Sequence, residues 1–248
     1  MSEAQTLLAA QNLSHSYGAI RAVRGVSFSL RAGELLAMIG PNGAGKSTVF
    51  GLLSGDLPVV KRAEAQIYLR SEPISQLSIQ ARCARGLGRT YQSAAPFLTL
   101  SVLDNLQVAS QASTRASPAL LESVLGHSGL APARHTAVAD LAYPDWKRLD
   151  LALALVQAPT VLLLDEPTAG LAATERHAMM AWVQQLAREQ GLGVLFTEHN
   201  LDAVFQYADT VLVLDRGSVL AQGSVGEIAA NPAVQAAYTG GYTVKGGL

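Results

Sequence analysis

Four short apolar runs mark the chain, one near its start and three in its second half. They are "ELLAMIG" (34–40), "TVLLLDEP" (160–167), "GVLFTEH" (193–199) and "TVLVLDRG" (210–217). An unbroken apolar centre without alternation is typical of a strand that is buried on both faces of a sheet. The pattern therefore predicts four core strands.

Segments with helical spacing of their apolar residues lie between these runs. They are "KSTVFGLLSG" (46–55), "TERHAMMAWVQQLAREQG" (174–191) and "NLDAVFQYA" (200–208). Strands that alternate with helices indicate a parallel sheet with helical crossovers. The predicted fold class is α/β.

Three other regions have different patterns. The segments "GVSFSL" (25–30) and "AQIYLR" (65–70) alternate polar and apolar residues, which predicts half-exposed strands of an N-terminal antiparallel β subdomain. Residues 92–145 are mostly helical in pattern and low in charge, which predicts an inserted helical subdomain. Near the end, "SVGE" (224–227) fits a capping box for one of two short helices, and we expect a loose tail over 240–248.

Composition narrows the class of protein. The chain has 248 residues, 49% of them hydrophobic, which is ample for the core of one large domain. Its net charge of −1 implies no basic face, so we expect no nucleic-acid partner. The single cysteine, Cys83, cannot form an internal disulfide, and no apolar run approaches the ~18–20 residues that span a bilayer. Membrane association is therefore expected to come through a partner.

The segment "GPNGAGKST" (40–48) follows the first apolar run and matches G-x-x-x-x-G-K-[ST]. Gly43 and Gly45 let the backbone close around an anion with its N–H groups pointing inward. Lys46 supplies a positive charge near the β- and γ-phosphates, and the Ser47 hydroxyl can bind Mg²⁺. With a strand before it and a helix after it, this motif predicts a nucleotide-binding site.

Two acidic residues, Asp165 and Glu166, end the next predicted core strand. The first carboxylate can hold Mg²⁺, and the second can accept a proton from an attacking water or orient it. The alternative is a pair of solvated acids, but the phosphate-binding motif upstream favours catalysis. The prediction is then a P-loop NTPase with a RecA-like parallel sheet core.

From Tyr17 to Gly241 the chain resembles the ATP-binding subunits of ABC transporters. The resemblance rests on the two motifs above and on five further segments. These are "SHSYGAI" (14–20), "GRTYQ" (88–92, the Q-loop), "LAYPDWKRLDLA" (141–152, the signature), "EPTAGLA" (166–172, the D-loop) and "FTEHN" (196–200, the switch histidine). It implies a single ABC ATPase domain over 1–248. The α/β core and β subdomain would occupy about 1–91 and 150–248, and the Q-loop and helical subdomain about 92–149.

The resemblance implies two bound species, ATP and Mg²⁺, and assigns roles to particular residues. Those implied in hydrolysis are Lys46, Gln92, Glu166 and His199. Those implied in holding Mg²⁺ are Ser47, Gln92 and Asp165. Those implied in binding ATP are Tyr17, which would stack on adenine, and Gly40, Pro41, Asn42, Gly43, Ala44, Gly45, Lys46, Ser47 and Thr48. The residues alone leave alternatives open: Tyr17 could cover the edge of the β subdomain, Gln92 could be a solvated loop residue, and His199 could be structural.

The signature departs from the family pattern, which is commonly L-S-G-G-Q. In the family two subunits sandwich two ATP molecules, and the partner's signature serine and a glycine N–H close each site. Here Ala142 replaces the serine and Pro144 that glycine, while Tyr143 and Asp145 replace the other glycine and the glutamine. Proline has no N–H to offer, although it suits the first position of a helix. Ala172 also stands where the D-loop commonly ends in an acidic residue, so we expect an asymmetric heterodimer.

Within the family, "GRTYQ" followed by "LTLSVLDNLQVA" (98–109), and the segment 213–241, resemble branched-chain amino acid importers. Close relatives of those subunits serve amides, urea and aromatic acids. The expected partners are a second ABC ATPase subunit, transmembrane permease subunits and, indirectly, a periplasmic solute-binding protein. The expected location is the cytoplasmic face of the membrane. The alternatives are a structural or regulatory ATP-binding subunit with little hydrolysis, and a P-loop regulator outside transport, against which the helical insertion argues.

Overall fold

A computed structural model describes residues 5–59, 65–90 and 96–239. The strands are β1 (Thr6–Tyr17), β2 (Ile20–Arg31), β3 (Leu35–Ile39), β4 (Gln66–Leu69), β5 (Glu72–Pro73), β6 (Leu87–Arg89), β7 (Val161–Asp165), β8 (Gly193–Thr197), β9 (Thr210–Asp215) and β10 (Ser218–Ser224). The α-helices are α1 (Lys46–Ser54), α2 (Ile79–Arg85), α3 (Val102–Ser110), α4 (Pro118–His127), α5 (Tyr143–Leu155), α6 (Ala173–Gln190), α7 (Leu201–Tyr207), α8 (Val225–Ala229) and α9 (Pro232–Thr239).

The predicted parallel sheet is present, with strand order β10-β9-β3-β8-β7-β6. Its neighbours are parallel except for the edge strand β10, which is antiparallel to β9. The carboxyl ends of β3, β7 and β8 therefore meet at one edge of the sheet, where ligands bind in open α/β folds. The α/β prediction is confirmed.

The unbroken apolar runs have a simple physical cause. Along β3, Leu35 and Ala37 pack into the core that α3 to α7 cover, while Leu36 and Met38 pack into a second core with α1 and the β subdomain. Because both faces of the strand are covered, no polar position is tolerated in its centre.

The predicted antiparallel β subdomain is also present, as a four-stranded sheet with order β2-β1-β4-β5. The segment "GVSFSL" is the second half of the longer β2, and "AQIYLR" contains β4. The strand β1, which spans 12 residues, was not predicted from the sequence pattern. Its pairing with β2 shifts register more than once, and Asn12 within it has φ +49°, so its sequence does not alternate cleanly.

The remaining elements follow the predicted order. The helices α3, α4 and the start of α5 lie within the segment predicted to be helical, with short 3₁₀ turns at Ala131–Ala133 and Val138–Asp140 between α4 and α5. The capping box at Ser224 is present, because its hydroxyl accepts the N–H of Glu227 at the start of α8. The tail 240–248 lies outside the described residues. Among the helices that the structure describes, none has both the length and the apolar character needed to cross a membrane.

Candidate nucleotide-binding and hydrolysis site

The loop between β3 and α1 has the geometry of an anion cradle. Gly43 has φ +78° and Gly45 has φ +104°, which are conformations that residues with a Cβ rarely adopt. A Cβ on Gly45 would lie 2.6 Å from the Ala22 carbonyl oxygen, so the glycine also permits close packing against β2. The start of α1 has no side-chain cap and no acidic residue in its first turn. Its N–H groups and the positive end of its dipole are therefore available to an anion.

Lys46 is buried beneath this loop, with 8% of its surface exposed. Its Nζ donates to the carbonyl oxygens of Gly40 at 2.6 Å and Pro41 at 3.2 Å. Burial lowers the pKa of the ammonium, and the nearby carboxylates of Glu166 and Asp165 oppose that shift. The lysine thus places a positive charge between the loop and the two carboxylates.

Asp165 and Glu166 lie at the carboxyl end of β7, as predicted. Asp165 is buried, and its Oδ1 accepts a hydrogen bond from Thr197 Oγ1 at 2.8 Å. Its other oxygen, Oδ2, lies 3.7 Å from Nη2 of Arg89. Glu166 has φ +49°, and its N–H donates to the same Thr197 oxygen at 3.0 Å. The strand end thus turns sharply and presents two differently oriented carboxylates.

His199 follows β8 and lies beside Glu166, with 2.9 Å between Nε2 and Oε1. The side chain of His199 is 54% exposed, against 26% for Glu166, so the imidazole covers the carboxylate from the solvent side. Both side chains open onto a cleft of about 270 Å³ that is otherwise lined by Ala22 and residues 42–48. The structure therefore brings the phosphate-binding loop, the lysine, the second carboxylate and the histidine together.

Four of the predicted residues that the structure describes do not line this cleft: Tyr17, Gly40, Pro41 and Asp165. Tyr17 ends β1 and pairs with Ile20 across a tight turn, with its ring 51% exposed and edge-on to His15 at 4.7 Å. It lies at the tip of the hairpin that contributes Ala22 to the cleft, so its ring is free to meet a ligand. Gln92 lies outside the described residues.

The signature segment forms the start of α5. The helix begins at Tyr143, one residue earlier than the sequence indicated, so Pro144 is its second residue and not its first. Ala142 at the cap position makes no side-chain hydrogen bond. Asp145 does not project alone from the helix, because Arg148 donates to its Oδ1 at 2.8 Å. The negative charge expected at this end is therefore partly compensated within the helix.

Tyr143 connects the signature to the D-loop of the same chain. Its hydroxyl donates to the Ala169 carbonyl at 2.9 Å, and its ring lies against Gly170, where a Cβ would approach the Tyr143 hydroxyl to 2.9 Å. At the end of the D-loop, the N–H of Ala172 donates to Glu175 at 3.2 Å. The two segments that depart from the family pattern thus touch one another.

Several residues that support the site were not predicted from the sequence. Thr197 bridges Asp165 and Glu166, as described above. Next to it, the buried Glu198 accepts hydrogen bonds from the N–H and hydroxyl of Thr168, at 3.0 and 2.6 Å. The signal was available in part: a threonine and a glutamate directly before the histidine interrupt an apolar strand end, where polar residues require partners.

A glycine-rich loop opening a helix, a buried lysine and two carboxylates at the end of a nearby parallel strand define a P-loop nucleotide-binding protein. The chain belongs to the ABC transporter ATP-binding family, whose sequence model matches residues 23–169. ABC ATP-binding cassettes are ATPases that power transport, and they dimerise and work with transmembrane permease components.

The chain is similar to relatives that serve different transport systems. It is 34% identical to the high-affinity branched-chain amino acid transport ATP-binding protein LivG of Salmonella typhimurium, over 95% of this chain and 98% of LivG. It is 33% identical to the lipopolysaccharide export system ATP-binding protein LptB of Escherichia coli, over 94% of this chain and 97% of LptB. Among solved structures, the ADP conformation of the ATP-binding cassette MJ1267 superposes with a TM-score of 0.85, at 26% identity, and covers 95% of this chain and 99% of that one.

Proposed function

We propose that this chain binds ATP with Mg²⁺ in the cleft beside α1 and hydrolyses it to energise an importer. The observation that carries the proposal is the convergence of residues 42–48, Glu166 and His199 on one cleft, with Asp165 close enough to Lys46 for their charges to interact. The loop would receive the phosphates, and Tyr17 at the hairpin tip would stack on the adenine.

The residues present fit Mg²⁺. Ser47, which carries a hydroxyl, lines the cleft, and Asp165 has a buried carboxylate next to Glu166 at the end of β7. Such hard oxygen donors suit this ion. In the described part of the chain, no group of three or more His, Cys, Asp or Glu side chains could hold an ion. This agrees with the usual Mg²⁺ site, which uses one or two carboxylates together with substrate phosphates. Gln92 is the third proposed ligand.

Each of these side chains has a separate role in the proposed hydrolysis. Lys46 places its charge against the β- and γ-phosphates, and bound Mg²⁺ would neutralise the charge that develops on the leaving oxygen. Glu166 orients the attacking water or accepts its proton, and His199, in contact with Glu166, stabilises the γ-phosphate. The side chain of Gln92 would contact both the Mg²⁺ ion and the attacking water.

We propose that the chain pairs with a different ABC ATPase subunit. The elements that serve its own ATP retain the family residues, whereas Ala142, Pro144 and Ala172, which would face the partner's ATP, do not. Hydrogen bonds to a charged acceptor contribute about 1.5–3 kcal/mol each, so losing two would weaken closure of that site by orders of magnitude. A heterodimer would then have one competent site and one impaired site.

The transported solute is proposed from the relatives. The similarity to LivG favours branched-chain amino acids or related small polar or organic solutes, with a periplasmic solute-binding protein as an indirect partner. The subunit would sit at the cytoplasmic face of the membrane, held by permease subunits. A groove of about 290 Å³ beside Phe97, Val108 and Leu153 is the surface that we propose receives a permease helix. We also propose that residues 1–248 form one ABC ATPase domain with its Q-loop and helical subdomain at about 92–149.

A second candidate is a subunit that binds ATP as a structural or regulatory element and hydrolyses little. Pro144 favours it, since the second residue of α5 has no N–H to give. The retained Glu166 and its contact with His199 argue against it.

Glu166→Gln tests the chemistry. The amide cannot accept the proton, so we expect Mg-ATP binding to persist while turnover falls about 10²–10⁴-fold, the range for loss of a general base. Phosphate release and the affinity for a fluorescent ATP analogue are the measurements, in the transporter assembled with its partners.

The matched control is Glu189→Gln, which changes an exposed glutamate at the end of α6. This variant should behave as wild type. Unchanged turnover in Glu166→Gln would remove the base assignment. Wild-type turnover at the background level measured without protein, with Mg-ATP binding retained, would favour the structural role.

A further inference from the structure

One hydroxyl at the end of β8 is bonded to both acidic residues at the end of β7. Thr197, the last residue of β8, pairs with Asp165, the last residue of β7, in the parallel register of the sheet. Its Oγ1 donates to Asp165 Oδ1 at 2.8 Å and accepts the N–H of Glu166 at 3.0 Å. Thr197 is 1% exposed, so water does not compete for either bond.

The acceptor half of this bridge holds a strained backbone. Glu166 has φ +49°, in the left-handed region that residues with a Cβ visit uncommonly. Such a conformation persists where the surrounding structure fixes it, and it is common at functional sites. The N–H of Glu166 is the group that this turn directs back into the protein, and the Thr197 hydroxyl is its acceptor. The hydroxyl therefore helps to determine where the Glu166 carboxylate points.

The donor half orients the other carboxylate. With Oδ1 of Asp165 held by Thr197, the remaining oxygen, Oδ2, faces Nη2 of Arg89 at 3.7 Å. A carboxylate with one oxygen fixed has lost the freedom to rotate, so its second oxygen has a defined direction. This is the kind of support that fixes metal-binding carboxylates in general.

We propose that Thr197 is a positioning residue that sets both carboxylates through its single hydroxyl. The proposal rests on the proposed function, in which Asp165 holds Mg²⁺ and Glu166 acts on the water. Thr197 is almost fully buried and its hydroxyl is engaged by both acidic residues, so it would touch neither ATP nor the attacking water. Loss of the hydroxyl should therefore affect the dependence on Mg²⁺ and the rate of hydrolysis, and leave binding by the phosphate loop unchanged.

The fold offers a way to separate this role from simple packing. The turn after Glu166 is also held by Glu198, which accepts both the N–H and the hydroxyl of Thr168. Removing the Thr197 hydroxyl thus leaves an independent anchor for the turn. Valine matches threonine in shape, without the hydroxyl, and serine keeps the hydroxyl while it loses the methyl group.

The experiment compares Thr197→Val, Thr197→Ser and the control Thr160→Val. Thr160 precedes β7, and its hydroxyl donates to Gly86 at 3.3 Å, so the control removes a hydroxyl hydrogen bond at the opposite end of the same strand. The dissociation constant of a fluorescent, non-hydrolysable ATP analogue is measured in EDTA and in Mg²⁺, and hydrolysis is followed in single turnover.

We expect all variants to bind the analogue within about twofold of wild type in EDTA. In Mg²⁺, Thr197→Val should bind about tenfold more weakly than wild type, the scale of one hydrogen bond to a charged acceptor. At saturating nucleotide it should also hydrolyse ATP more than tenfold more slowly in single turnover. Thr197→Ser should recover most of both losses, and Thr160→Val should show neither.

Thermal melts confirm that each variant is folded, and Thr197→Ala takes the place of Thr197→Val if the latter does not fold. Wild-type behaviour of Thr197→Val, or equal loss in Thr197→Val and Thr197→Ser, would overturn the proposal for Thr197 alone. A wild-type chain whose analogue binding shows no dependence on Mg²⁺ would overturn the proposed function as well.

Discussion

The N-termini of α1 and α5 are built from opposite kinds of residue. After the cap residue Gly45, α1 begins with Lys46, Ser47 and Thr48, and has every backbone N–H, a lysine and no acid in its first turn. α5 begins with Tyr143, Pro144 and Asp145, and has one N–H fewer and an acid in its first turn. Both starts satisfy the requirements of a helix, but only the first retains what an anion requires.

The difference shows that helix formation and ligand binding place separate demands on the same residues. The first turn of a helix has no use for its N–H groups, so proline and aspartate there stabilise α5 at no cost to the fold. The missing N–H and the added negative charge would instead weaken the binding of a ligand held by a neighbouring subunit. A chain can thus retain its own nucleotide site while it weakens the site that it completes for its partner.

Among the substitutions at the nucleotide site beside α1, Lys46→Ala should reduce the affinity for ATP most. It removes a charge that is proposed to contact phosphate, and such hydrogen bonds contribute about 1.5–3 kcal/mol, which corresponds to roughly 10–150-fold in ATP affinity. Equilibrium binding of Mg-ATP is the measurement. Arg85→Ala, which removes an exposed cation paired with Glu72, is the control and should bind as wild type does. Equal affinities would mean that the loop binds phosphate without the lysine.

Tyr17→Ala should have a smaller effect at the same nucleotide site. Stacking of a base on an aromatic ring contributes about 1–3 kcal/mol, so the dissociation constant for ATP should rise roughly tenfold or more. Tyr17→Trp should be tolerated, because indole offers a larger stacking face. An alanine variant with wild-type affinity would show that the exposed ring only covers the β hairpin.

A substitution at Asp150, in the middle of α5, tests how burial of a carboxyl group affects the stability of the helix that carries the signature segment. Burial raises the pKa of this carboxyl to about 7, although Lys147 opposes the shift. The unfolded chain releases the proton near pH 4 and the folded chain keeps it until about pH 7, so the free energy of unfolding falls as the pH rises between these values.

Asp150→Asn should therefore be more stable than wild type at pH 8 and differ less at pH 5. The full shift corresponds to about 4 kcal/mol, and partial exposure of the side chain reduces the expected gain to about 1–2 kcal/mol. Denaturant melts at the two pH values measure it, with the exposed Asp140→Asn as control. A gain that does not depend on pH would mean that Asp150 is ionised throughout.

The elements and site residues that could be predicted from the sequence are those encoded by contiguous residues. The core strands were predicted because both of their faces are buried, which leaves unbroken apolar runs. The short β6 contains Gly88 and has no such run, so it was not predicted. It overlaps the start of the Q-loop segment 88–92. The phosphate loop and the carboxylates were predicted because their residues are contiguous in the sequence.

The supporting contacts could not be predicted in this way. The bond between Thr197 and Asp165 joins residues 32 apart, and it exists because the register of β7 and β8 places their last residues side by side. The bond from Tyr143 to Ala169 likewise depends on how α5 packs beside the D-loop. Neither register nor packing angle is encoded in a local pattern.

The most direct test of the asymmetry is ATP-driven self-association of this chain. In a Glu166→Gln background, which would trap the closed dimer, the natural signature is compared with Ala142→Ser, Pro144→Gly and Asp145→Gln combined. Light scattering with Mg-ATP reports the mass, and adding Lys46→Ala to the restored chain is the control that removes the nucleotide. We predict that the natural chain stays monomeric, that the restored chain dimerises, and that the control does not. Strong ATP-dependent homodimers of the natural chain would contradict the account, because α5 would then hold the phosphate without the N–H of residue 144.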